Sequence, residues 1–154
     1  MRMKTQGYLA ILAAVAGLYQ SAAFAQIRNT TLGTNALFSV TIGSSNNAIG
    51  YQALYSNTTG SNNVANGYVA LYSNTIGNGN VANGYLALAF NTTGNDNVAN
   101  GGLALNKNIT GNYNVANGAL SLLNNTTGDS NGANGDRALT FNTTGKNNCA
   151  NGKA

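Results

Sequence analysis

The sequence predicts an all-β fold: a parallel β-solenoid, or β-roll, of 17-residue coils preceded by an N-terminal signal helix. Three observations predict it. Two glycine columns share one period: Gly43, Gly60, Gly77, Gly94, Gly111, Gly128 and Gly145, and Gly50, Gly67, Gly84, Gly101, Gly118, Gly135 and Gly152. Alanine and leucine recur at fixed places between them, as at Ala65 and Leu71, Ala82 and Leu88. Asparagine recurs in columns of its own. A fixed period this short cannot hold a helical hairpin, so each copy is one coil of a solenoid.

The first element is the leader. Residues 1–25 read as a secretory signal peptide: Arg2 and Lys4, an apolar stretch from Gly7 to Tyr19, then the small-x-small site Ala23-Phe24-Ala25. The apolar stretch is shorter than the roughly 20 residues a spanning helix needs. Cleavage is expected between Ala25 and Gln26, and mass spectrometry of exported protein should find Gln26 at the N-terminus. Together with the style of the repeat, this leader indicates bacterial export and a secreted or cell-surface location.

Residues 26–42 form a degenerate first coil, or N-terminal cap. Gly33 lies one period before Gly50, and Ala36-Leu37 one period before Ala53-Leu54, but Val40-Thr41-Ile42 replaces the usual Asn-Thr-Thr. Atypical terminal copies are expected where a core must be closed. Residues 43–154 are the solenoid proper, six full copies and a partial one.

Counting Gly43 as column 1, the unit reads G-x-x-N-V-A-N-G-Y-x-A-L-x-x-N-T-T. Column 6 is Ala in every copy and column 12 is Leu in every full copy. The runs N-V-A-N and x-A-L-x are each of strand length, with neighbouring residues expected on opposite faces. The Asn-Gly pairs and N-T-T-G segments are turn chemistry, since Gly and Asn tolerate positive φ. In-register stacking places identical side chains above one another at about 4.8 Å, for a rod roughly 30 Å long. The Asn columns 4 and 15 are then expected to bond amide to amide, as in other in-register parallel β structures. The outward apolar residues, including Tyr51, Tyr68 and Tyr85, form a second stripe that points to burial against another chain. The last coil, from Gly145, offers a strand edge for end-to-end association.

Catalysis is not expected. The chain has no His and no Glu, so the usual general bases and metal-ligand sets are missing. Its acids, Asp96, Asp129 and Asp136, fall in different columns. No calcium-binding nonapeptide and no phosphate-binding loop occurs, and no cofactor or metal is expected. Beyond the leader the basic residues are Arg28, Lys107, Arg137, Lys146 and Lys153, with no run of them to grip nucleic acid. The N-x-T sequons, such as Asn57 and Asn91, are read as turn sequences. Cys149 occupies the Val column, and as the single cysteine of an exported chain it is a candidate for an intermolecular disulfide. The candidate recognition surface is a threonine ladder in columns 16 and 17. It comprises Thr58 and Thr59, Thr92 and Thr93, Thr110, Thr126 and Thr127, and Thr143 and Thr144, with Ile76 and Ile109 as interruptions. Only one of two neighbouring Thr columns is expected to face outward.

The segment NNAIGYQALYSNTTG, residues 46–60, resembles the repeat of trimeric autotransporter adhesin heads and related bacterial and phage fibre proteins. The likeness extends over about residues 33–152. It implies a parallel β-roll, often trimeric, serving as an extracellular stalk or adhesive head. The chain departs from that pattern where Ile49 gives way to Asn66, Asn83, Asn100, Asn117, Asn134 and Asn151. The threonine ladder, for its part, resembles the ice-binding faces of β-solenoid antifreeze proteins. The expected function is a secreted structural or adhesive protein whose partner is itself, end to end or as a trimer. A cell surface, a polysaccharide or ice are the other expected partners, and ice binding is the alternative function.

Overall fold

The N-V-A-N run of each copy is a three-residue strand. The computed structural model describes residues 28–153; the expected leader lies outside the described residues. In chain order the strands are β1 (Thr30–Leu32), β2 (Asn47–Ile49), β3 (Val64–Asn66), β4 (Val81–Asn83), β5 (Val98–Asn100), β6 (Val115–Asn117), β7 (Gly132–Asn134) and β8 (Cys149–Asn151). They form one parallel sheet in that same order. Each pairing joins residues one repeat apart: Val81 lies on Val98, Ala82 on Ala99 and Asn83 on Asn100. The architecture is an all-β parallel solenoid of about seven turns, with no helix among the described residues. In each strand from β2 to β7 the middle Ala is fully buried, while its two neighbours face outward to varying degrees.

The second apolar run departs from expectation. The sequence predicts a strand there, with columns 11 and 12 on opposite faces. The structure has a turn over columns 9–14, and both columns point inward. Ala87 and Leu88 are each fully buried. The cause is backbone conformation: Leu86 and Leu88 have φ of 53° and 52°. A left-handed residue rotates successive side chains out of strand alternation. It costs an L-residue about 1–2 kcal/mol. Burial of a leucine side chain returns about 1.5–3 kcal/mol, so the conformation survives where leucine closes a narrow core. Bonding across coils keeps the turn's peptide groups satisfied. Leu86 N–H reaches back to the Tyr68 carbonyl at 3.0 Å, and Leu88 N–H reaches forward to the Ala104 carbonyl at 2.9 Å.

Most of the remaining interior is asparagine, paired along columns 4 and 15; among the described residues the buried Asn47 Oδ1, in column 5, is left without a partner. Asn97 Nδ2 donates to Asn80 Oδ1 at 3.1 Å and to the Gly111 carbonyl at 2.8 Å, while its backbone N–H also reaches Asn80 Oδ1 at 3.0 Å. In column 15, Asn91 Nδ2 donates to Asn74 Oδ1 at 2.8 Å and to the Gly94 carbonyl at 3.0 Å. Both amide protons and the amide oxygen are therefore used in each internal Asn. An unpaired amide buried here would cost about 1–3 kcal/mol, which explains why neither column admits a substitute in the full copies.

Candidate functional surface

With Ala, Leu and two Asn columns turned inward, the remaining columns define the outer surface. Column 16 does not present its hydroxyls to solvent as a recognition face would. Thr58 Oγ1 donates to the Thr75 carbonyl at 3.0 Å, Thr92 Oγ1 to the Ile109 carbonyl at 3.1 Å, and Thr126 Oγ1 to the Thr143 carbonyl at 3.0 Å. These threonines stitch one coil to the next. Thr143 is exposed. Column 17 is the outward one: Thr59, Thr110, Thr127 and Thr144 are exposed and Thr93 is half-buried, with Ile76 exposed among them. The structure thus separates the threonine pairs into a structural file and a surface file.

Cys149 is a free, exposed thiol in the last strand, β8. The three acids remain apart, Asp96 in column 3, Asp129 in column 2 and Asp136 in column 9.

Three further ladders run along the surface. Column 2 runs through Ser61, Asn78, Asn95, Asn112 and Asp129, each of the later side chains accepting the backbone N–H of the copy before it. Column 7, where asparagine replaces Ile49, links Asn83 to Asn100 and Asn100 to Asn117 at 2.9 Å. The third is aromatic. Tyr51, Tyr68 and Tyr85 stack with ring centroids 5.2 and 5.5 Å apart, and Phe38, Tyr55 and Tyr72 stack at 5.3 and 5.2 Å. All three follow the same 17-residue spacing as the core columns.

Where the aromatics shift from column 13 to column 14, a groove of about 480 Å³ opens. It is lined by Ser73, Phe90, Thr92, Lys107, Ile109 and Thr126 and is almost wholly apolar. Charge is unevenly placed along the rod: residues 29–95 carry no charged side chain at all. The later coils hold Lys107, whose Nζ donates to Asn124 Oδ1 at 2.9 Å, and the pair of Lys146 Nζ with Asp129 Oδ2 at 2.7 Å.

That pair makes a testable contribution. The Lys146 ammonium, by its hydrogen bond, and then the Asn112 backbone N–H hold the Asp129 carboxyl below its ordinary value of 3.8. A lowered carboxyl stabilises the fold above the unfolded-state value, and the effect is lost as the pH falls through the folded-state value. Asp129→Asn retains the acceptor for Asn112 N–H, as its column mates do. It should change the urea midpoint little at neutral pH and remove the part of the loss below pH ~4 that the wild type shows. A variant with an unaltered acid profile would exclude this role for the pair.

Comparison with protein-family models, with curated proteins and with solved structures finds no match.

Proposed function

We propose that this chain is a secreted structural or adhesive rod that works by associating with copies of itself outside the cell. The observation that supports this reading is the uncharged first half of the rod with its exposed aromatic ladder. Tyr68 and Tyr85 are 51% and 56% exposed although each stacks on a neighbour. An exposed apolar stripe that continues from coil to coil is the mark of an interaction surface. Without charge along residues 29–95, no like-charge repulsion keeps two such surfaces apart.

The test is negative-stain microscopy of the purified protein together with a mass determination in solution. Fibres or a defined oligomer are expected. A chain that stays monomeric at millimolar concentration would remove the reading.

Ice binding is the second reading, favoured by the outward file of column 17. Replacing Thr59, Thr93 and Thr127 with Lys should abolish thermal hysteresis while leaving the fold intact, because surface changes usually shift stability by within about 0.5 kcal/mol. The same replacement at Thr58, Thr92 and Thr126 should instead loosen the solenoid, since those hydroxyls bond to the next coil. If the unmodified protein shows neither hysteresis nor ice shaping, the second reading fails.

A further inference from the structure

Column 9 changes character halfway along the rod. In three successive coils it is Tyr51, Tyr68 and Tyr85, and in the next three it is Gly102, Ala119 and Asp136. The first three rings stack into a continuous ridge. The following positions are recessed. A Cβ built on Gly102 would meet no atom within 4 Å, so the space beside it is open. Ala119 and Asp136 are exposed. Beside this trough, in column 10, lie Leu103 and Leu120, both partly accessible.

A ridge and a trough of equal length, set end to end on one line, are complementary to themselves when one copy is reversed. We propose that column 9 is a pairing surface and that its occupant is a second copy of this chain, antiparallel, related by a two-fold axis between Tyr85 and Gly102. In that arrangement Tyr85 of each copy lies against Gly102 of the other, and Tyr68 against Ala119. Tyr51 meets Asp136, whose carboxylate accepts a hydrogen bond from the phenol hydroxyl. The contact is isologous, as two-fold pairing requires. The two surfaces are also commensurate. Rings spaced 5.2 and 5.5 Å apart face positions that repeat at strand spacing, about 4.8 Å. Tyrosine suits such a surface because it combines large apolar area with a polar tip. Lateral pairing of this kind uses the side of the rod.

The inference rests on the self-association reading, and its test separates the two. The trough is filled by Gly102→Tyr with Ala119→Tyr, which extends the ladder into open space without entering the core. Circular dichroism confirms the fold. The expected result in sedimentation equilibrium is a wild-type dimer and a filled variant whose dissociation constant rises by roughly 100-fold or more, the scale of losing central aromatic contacts. Adding Tyr68→Ala and Tyr85→Gly to the filled variant exchanges ridge for trough and should restore pairing. A folded filled variant that associates as tightly as the wild type overturns the pairing surface and leaves self-association standing. A wild-type chain that is monomeric at millimolar concentration overturns both.

Discussion

Leu88→Asp is expected to abolish the solenoid over several coils, not only the one that carries it. Leu88 is fully buried and packs within a core made of the other column-12 leucines, Ala and paired Asn. No cation or spare donor faces it from that apolar set. An unpaired carboxylate in such a site costs several kcal/mol or forces its own protonation. Stability in a stacked repeat is close to a sum of neighbour-to-neighbour terms. Losing one coil in the middle therefore removes both of its interfaces, to the coils carrying Leu71 and Leu105. The milder Leu88→Ala should cost about 2–5 kcal/mol, the usual range for a buried leucine truncation. Urea titration followed by circular dichroism measures both. A Leu88→Asp protein with the wild-type midpoint would mean that column 12 is not the core.

The second large effect is expected at Gly101, and the glycine beside it provides the control. Gly101 has φ of +140°, and a Cβ there would lie 2.6 Å from the carbonyl carbon and oxygen of Gly118 in the next coil. Gly101→Ala combines left-handed strain of about 1–2 kcal/mol with overpacking of about 1–3 kcal/mol. It forces two coils apart and strains the bond from Gly101 N–H to the Asn83 carbonyl, now 2.9 Å. Gly102 has open space beside it, so Gly102→Ala should be near neutral. Thermal unfolding of the two variants side by side settles the matter. Equal effects at the two positions would contradict the close stacking of column 8.

These contrasts indicate how far the sequence could be read. The period, the inward Ala of column 6, the inward Leu of column 12 and the internal Asn columns are visible because a buried column tolerates little variation between copies. Column 11 departs from strand alternation because the residues on either side of it, such as Leu86 and Leu88, take a positive φ. Composition gives no warning of that: leucine avoids the left-handed region in isolated chains, and only closure of a 17-residue ring around a narrow core compels it. The threonine pairs were legible as a ladder with one outward file, but not which file that is, because that depends on whether Oγ1 reaches the carbonyl above. The aromatic ridge of Tyr51, Tyr68 and Tyr85 was legible as an outward apolar stripe. Its stacking, and its self-complementary continuation into Gly102 and Ala119, required coordinates.

The central claim is that every 17 residues advance the chain by one strand spacing, in register, along the rod. Val64 and Cys149 share column 5, and five successive pairings connect them, from Val64 on Val81 to Gly132 on Cys149. Both side chains are at least partly accessible. A Val64→Cys substitution therefore allows spin labels at two sites with no other cysteine to remove. Double electron–electron resonance, with labelled chains diluted into unlabelled ones, should give a narrow distribution centred near 24 Å, five strand spacings of about 4.8 Å. A broad distribution near 50 Å, the scale of a flexible chain of that length, would contradict the solenoid.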